Sequence, residues 1–148
     1  DEITKRISLD LDSGADTTVW PQDWCPEIPT IETEESKRGV KFWGAGDTTN
    51  PSINVAGKKK IPLRINGEDF SMNVTAAGVR KPLIALGDML DKGWSVYVHV
   101  QGPYYAVKAD GTTMEFRREG NRFRLDAEVV LPPSGQSETT FAGQGKRP

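Results

Sequence analysis

From Ile3 to Leu11 apolar and polar residues alternate: Ile7, Leu9 and Leu11 fall on one face, Lys5, Ser8 and Asp10 are among the polar positions, and the run stops at Ser13-Gly14. A period of two is the signature of a half-buried strand. The same period returns at Ile61, Leu63 and Ile65, and again at Phe70, Met72 and Val74, with Asn66-Gly67 between the two runs. Asn-Gly supplies the left-handed backbone that a two-residue hairpin turn needs, so 61–75 reads as a hairpin. Val40 to Trp43 and Ile53 to Val55 flank the turn-rich stretch 44–51 and read as the arms of a second hairpin with a Gly-bearing tip. Leu83 to Leu86 is a short apolar run, followed by the one segment with helix punctuation, Gly87 to Gly93, which has Asp88 near its start and Gly93 at its end. Trp94–Val100, Tyr104–Val107, Thr113–Arg117 and Arg122–Val130 then predict four more strands, separated by Gly102-Pro103, Asp110-Gly111 and Gly120-Asn121. The fold class predicted is all-β with one short helix.

Composition narrows what such a domain can do. The chain has 148 residues, 36% of them hydrophobic, including 5 Phe, 4 Trp and 3 Tyr. That is enough for one modest core and too little for two large lobes with a cleft between them. One His and one Cys exclude a zinc site built from Cys and His alone, and the single Cys25 cannot form an internal disulfide, which points to a reducing compartment or at least to a fold that needs no staples. Nineteen Lys and Arg against 21 Asp and Glu leave a net charge of −2, without the basic excess of a dedicated nucleic-acid binder. No apolar run approaches the roughly 18 residues of a membrane span. The chain opens on Asp1 with no secretory signal and reads as a product cut from something longer. From Pro132 the composition turns to Pro, Ser, Gly, Gln and Thr, so the expected organisation is a domain over 1–131 and a flexible tail over 132–148.

Candidate chemistry concentrates where the first strand meets its turn, at Leu11-Asp12-Ser13-Gly14-Ala15-Asp16-Thr17-Thr18-Val19. In an Asp-Ser-Gly turn, backbone N–H groups and the hydroxyl can hydrogen-bond the carboxylate and fix its direction, while the Gly lets another chain or a ligand approach. The same tripeptide is also an ordinary turn. Ser13 as a hydrolase nucleophile lacks the Gly-x-Ser-x-Gly elbow and has only His99 as a base; His99 itself reads as a strand-surface side chain. Lys58-Lys59-Lys60 and Arg117-Arg118 read as solvated turn residues.

In context the stretch resembles the Asp-Thr/Ser-Gly-Ala motif of the retroviral-type aspartic proteases, the retropepsin family, and the likeness extends through Asp16 to Val19. The order of elements is similar too: an alternating strand before the motif, a Gly-bearing hairpin at 40–55, a second hairpin at 61–75, then Leu83-Ile84-Ala85-Leu86-Gly87 before the helix. The run Val79 to Gly93 looks particularly like the proteases of copia-type retrotransposons. The likeness covers the core, 3–93; residues 94–131 match only as additional strands.

The resemblance implies a retropepsin-like acid protease fold, a closed barrel-like half of a homodimer with a flap hairpin. It implies that each copy supplies one catalytic Asp12 to a shared site, that Ser13, Gly14 and Ala15 form the active-site loop, and that no cofactor or metal is needed. Asp16 and Thr17 would contact substrate main chain, Trp43, Gly44, Ala45 and Gly46 would cover an extended peptide, and Leu83 and Ile84 would line it. The implied activity is endopeptidase cleavage of a retroelement polyprotein, in the cytoplasm or inside a virus-like particle, with neither membrane nor nucleic acid as direct partner. The alternative is a catalytically silent module that dimerises or binds peptides. One departure stands out: many relatives carry Arg after the Gly of the second signature, pairing with the acidic residue at the place of Asp16, and here that residue is Asp88. Either Arg80 or Lys81 then replaces it, or the dimer relies on other surface, such as the strands after Gly93.

Overall fold

Residues 2–39, 41–43 and 52–133 are described by a computed structural model of the chain. Its elements run β1 (Ile3–Asp12), β2 (Val19–Pro21), α1 (Glu34–Lys37), β3 (Lys41–Trp43), β4 (Ser52–Ile65), β5 (Glu68–Ala77), β6 (Leu83–Ala85), α2 (Leu86–Asp91), β7 (Ser95–Val98), β8 (Tyr104–Val107), β9 (Thr113–Glu119) and β10 (Arg122–Leu131). The chain is mostly β, and its strands line up in one sheet in the order β3-β4-β5-β2-β6-β1-β10-β9-β8-β7. An additional pairing of β10 with β4, Glu128 to Arg64 and Val129 to Leu63, closes the six strands from β4 to β10 into a ring. The longest contacts in sequence are those of β1 with β10, antiparallel from Ile3↔Leu131 to Leu11↔Phe123.

Alternation decides what the ring encloses. Ile7 and Leu9 of β1, Ile61, Leu63 and Ile65 of β4, and Leu125, Ala127 and Val129 of β10 point inward and pack with Trp20, Val74 and Ile84. Burying each such side chain fully is worth about 1.5–3 kcal/mol. The alternate positions of β1, Arg6, Ser8 and Asp10, face those of β10, Glu128, Asp126 and Arg124, across the outer surface. Three further strands, β7 to β9, extend the sheet beyond the ring. Their inner face adds Ala106, Met114 and Phe116 to the core, while their outer face carries a stack of Tyr97, His99 and Tyr105 with ring centroids 5.0–6.3 Å apart.

The predicted hairpin at Asn66-Gly67 is present, with both residues at positive φ, 52° and 81°, as a two-residue turn of the primed type requires. Its first strand is longer than the alternation of Ile61 to Ile65 suggests. β4 continues back through Lys60, Lys59 and Lys58 to Ser52, where it pairs with β3, so the two expected hairpins share one strand. A bulge between Val55 and Gly57 bends it. There Gly57, at φ +151°, lies against the Ile31 carbonyl, and Ile31 and Lys58 exchange two backbone hydrogen bonds of 2.8 Å.

The lysine run is therefore not a solvated turn. Lys59 occupies an inward slot of β4, only 3% exposed, and its Nζ donates to the carbonyls of Trp24 at 3.0 Å and Cys25 at 3.1 Å. Burial pushes the Lys59 ammonium below its usual range, opposed by Cys25 and Glu27 nearby. The neutral amine keeps two N–H donors, matching the number of carbonyls it serves. Between that lowered value and the usual lysine value of about 10.4, the unfolded chain binds a proton that the folded chain does not, so stability rises with pH across that window. The expected result is that native stability in urea, relative to Lys59→Met, rises as pH is raised towards the usual lysine value of about 10.4; a flat or falling difference would show that burial does not govern this amine.

Two elements are added to those the sequence predicts, one of them a second helix. Glu34–Lys37 forms the short α1, capped by Thr33, whose Oγ1 accepts from the Ser36 N–H at 3.1 Å while the Ser36 hydroxyl oxygen accepts from the Thr33 N–H at 2.8 Å. Val19–Pro21 is a strand buried at all three positions. It runs parallel to β5 and touches β6 through Val19↔Leu83. Among the described residues no helix is long and apolar enough to cross a membrane.

Candidate functional site

Asp12 is the last residue of β1, where the strand leaves the sheet. It is flanked by β6 in parallel, Leu11↔Ile84 and Asp12↔Ala85, while Leu11 faces Phe123 of β10 on the other side. Neighbours on both sides fix the backbone from which the carboxylate projects. Asp12 Oδ1 accepts the Gly14 N–H at 2.8 Å. A Cβ at position 14 would stand 3.5 Å from the same oxygen, so Gly keeps that side of the carboxylate open. Ser13, Gly14 and Asp16 are exposed, and Asp12, Ala15 and Thr17 are half-buried.

Two positions earlier on the same face stands a second carboxylate. Asp10 is 8% exposed, with Arg124 Nε at 3.1 Å and Arg122 Nη1 at 3.5 Å. The close approach to Arg124 lacks hydrogen-bond alignment and is an electrostatic contact. Asp10 is thus engaged by two guanidiniums, whereas Asp12 takes only a neutral backbone donor among the described residues. The open carboxylate at the end of β1 is Asp12. A cleft of about 740 Å³ runs along the outer face of β1 past Arg6, Ser8 and Asp10, and Asp12 is not among the residues lining it.

Thr18 and Asp88 hold the loop that leaves Asp12. Thr18 is 3% exposed. Its Oγ1 accepts from the Ala85 N–H at 3.0 Å, its N–H donates to Asp88 Oδ2 at 2.9 Å, and its carbonyl accepts from Thr75 N–H at 2.9 Å. The Asp12 loop is thereby tied to the β6–α2 junction and to β5. This gives Asp88 a purpose that sequence reasoning missed. Asp88 works inside its own chain as a hydrogen-bond acceptor, and a carboxylate suits that task where a guanidinium, a donor only, does not. Neither Arg80 nor Lys81 is ion-paired to Asp16 among the described residues. The only sequence signal for the tie was Thr18 itself, a hydroxyl between loop and strand.

Thr18→Val keeps the shape and removes the acceptor, leaving the buried Ala85 N–H without a partner. A loss of about 1–3 kcal/mol in urea unfolding is expected; a change within a few tenths would mean that water or another acceptor serves Ala85.

The other expected site residues fall into three groups. Leu83 is half-buried at the start of β6, and Ile84 is 5% exposed within the core cluster, one strand away from Asp12. Trp43 closes β3, where its backbone pairs with Ser52. Gly44, Ala45 and Gly46 lie outside the described residues. The structure therefore sets Asp12, Ser13 and Gly14 in one turn and puts Leu83 and Ile84 on the adjoining strand β6, opposite Asp10 and Leu11, with Ile84 in the core. Among the described residues no three His, Cys, Asp or Glu side chains are grouped so as to hold a metal ion.

No family model matches the sequence, and no curated protein matches it significantly. Among solved structures, the chain is similar to the EIAV protease complexed with the inhibitor HBY-793, at 17% identity and a TM-score of 0.31, over 66% of this chain and 94% of that one. A likeness that distant carries no argument about this chain's fold or activity, which rest on its own residues.

Proposed function

We propose that this chain is one half of a homodimeric aspartic endopeptidase of retropepsin type, in which two copies of Asp12 meet across a twofold axis. The observation that supports this reading most is the state of Asp12: an open carboxylate on a rigid strand end, held by the Gly14 N–H and without an ion-pair partner among the described residues, in a loop tied down through Thr18 and Asp88. Two such carboxylates brought together share one proton. The ionised member takes a proton from a bound water as its oxygen attacks the peptide carbonyl carbon. The protonated member hydrogen-bonds the carbonyl oxygen, and the C–N bond then breaks with proton transfer to the leaving nitrogen. Ser13 and Gly14 carry the contact between the two loops, Asp16 and Thr17 hold substrate main chain, and Leu83 and Ile84 contribute wall. The hairpin that begins with β3 and returns in β4 covers the peptide, which lies extended in alternating pockets. Processing of the polyprotein of a retroelement is the task this chemistry fits.

The test is cleavage of a peptide library at mildly acidic pH over a dilution series. Specific activity is expected to fall on dilution, as the site exists only in the dimer, and a peptide carrying a hydroxyl-bearing tetrahedral mimic of the scissile bond should inhibit. Absence of cleavage at any concentration, together with no binding of the mimic, would leave a silent dimerisation or peptide-binding module as the reading. Specific activity that holds constant down to nanomolar protein would remove the shared site.

A further inference from the structure

Leu11↔Phe123 is the last pair of the ladder between β1 and β10, and one more step of the same register sets Arg122 level with Asp12. By alternation both belong to the outer surface, as Asp10 and Arg124 do. Residues opposed in this way have Cβ atoms about 4.5–5.5 Å apart, within easy reach of an Arg side chain, and opposite charges so placed attract. Yet no ion pair joins Arg122 to Asp12 among the described residues. Arg122 reaches diagonally instead, and its Nη1 stands 3.5 Å from Oδ2 of Asp10.

The charges around Asp10 balance. Arg117 meets Glu119 at 3.4 Å and Asp126 at 2.7 Å, Arg124 meets Asp10 at 3.1 Å and Glu119 at 3.0 Å, and Arg122 meets Asp10 alone. Three guanidiniums are thus shared among three carboxylates, and Asp12 is left over. Asp10 is 8% exposed, so its charge is fixed within this group. The other groups around Asp12 are Asp16, exposed in the loop, Asp88, bound to the Thr18 N–H, and uncharged Leu83, Ile84 and Ala85 of β6; Lys81, before β6, lines the cleft beside Asp10. Without the charge of Asp10, the cluster would hold one guanidinium more than its carboxylates. The one released is Arg122, whose cross-strand neighbours are then Asp12 on β1 and, on β9, Glu119, which already serves two arginines.

We propose that Asp10 is a positioning residue for the Asp12 site: by holding Arg122 it keeps a guanidinium off Asp12 and leaves that carboxylate open. The use of the open carboxylate in cleavage rests on the reading of Asp12 given above; the charge relation does not, and it is tested on Asp12 itself. The carboxyl carbon-13 signal of Asp12, assigned by its absence in Asp12→Asn, is followed against pH in the native chain, in Asp10→Asn, and in Asp10→Asn combined with Arg122→Gln. In Asp10→Asn the titration should move to lower pH by about one unit, the lower end of what an opposite charge roughly 4–6 Å away produces. Adding Arg122→Gln should return it to the native position, which a merely structural loss at residue 10 would not do. Arg122→Gln alone should move it by no more than about 0.3 unit in roughly 0.15 M salt, where charges held apart are screened. That single variant keeps the contact of Asp10 with Arg124, and so decides the matter even if Asp10→Asn does not fold. If the native chain cleaves peptides, its pH–activity profile should show the same shift and return; if it cleaves nothing, the peptidase reading fails and the titration still decides the role of Asp10. An unmoved titration in Asp10→Asn, a shift that survives Arg122→Gln, or a larger rise in Arg122→Gln alone would each overturn the assignment.

Discussion

Asp12→Asn is expected to lower peptidase activity by about a thousandfold, the scale of a lost acid–base group, while the protein stays folded. The fold should survive because the Asn side-chain oxygen still accepts the Gly14 N–H that now meets Asp12 Oδ1 at 2.8 Å. What disappears is the ability to take a proton from water. The variant also offers a sharper measurement than simple loss. If one carboxylate comes from each copy, hybrids of native and variant chains carry a single carboxylate and are inactive, so an equimolar mixture left to exchange should retain about one quarter of the native activity, in place of the half expected from independent sites. Retention of half would assign the chemistry to a single chain. A variant working at a tenth of the native rate or better would move the reacting carboxylate away from Asp12 altogether.

Gly57→Ala should cost about 3–5 kcal/mol, through backbone strain and the loss of paired hydrogen bonds. At φ +151° the position suits Gly alone, and a methyl group there would fall on the Ile31 carbonyl oxygen and close to the Thr30 methyl. Ile31 cannot retreat cheaply. Its carbonyl and N–H are both committed to Lys58 at 2.8 Å, among the described residues the only link between the 22–33 segment and β4 made by backbone pairs on both sides. Forcing them apart also disturbs Lys59, the next residue, and the two carbonyls it holds. Urea unfolding compared with Gly67→Ala makes the test specific, since Gly67 also has positive φ but nothing within reach of an added Cβ. Equal losses at the two glycines would reduce the effect to backbone conformation and dismiss the Ile31 contact.

Much of the strand pattern was legible because it is local. Alternation at Ile61 to Ile65 and at Phe70 to Val74 is written in consecutive residues, and Asn66-Gly67 states its own turn. Lys59 was misread because charge was allowed to outweigh period. Counting back in twos from Ile65 through Leu63 and Ile61 places residue 59 inward, and its burial depends on carbonyls at Trp24 and Cys25 that no local pattern announces. The candidate site divides in the same way. Asp12, Ser13 and Gly14 are contiguous and their turn could be anticipated. The hydrogen bond from the Thr18 N–H to Asp88 spans 70 residues, and the guanidiniums around Asp10 come from β10, at the far end of the domain. In the sequence Asp88 therefore looked like the loss of an ion pair, when its carboxylate has a different employment. The α1 turn escaped notice because four residues with no buried side chain leave no periodic trace; its capping pair, Thr33 and Ser36, was the only sign.

The pairing of β1 with β10 sets a timetable for how the chain is made. Ser8 and Asp126, joined by a 2.7 Å hydrogen bond, are separated by 118 residues, so at roughly 5–20 residues per second β1 waits about 6–24 s on the ribosome for its partner strand. Contacts of such separation make a domain fold slowly, because the closure entropy is lost before the pairing rewards it. Through that interval the polar alternation Thr4, Arg6, Ser8, Asp10 keeps one side of the nascent strand wetted. Asp12 thus takes up its final geometry only after β10, the last of the described strands, has been made and has paired with β1.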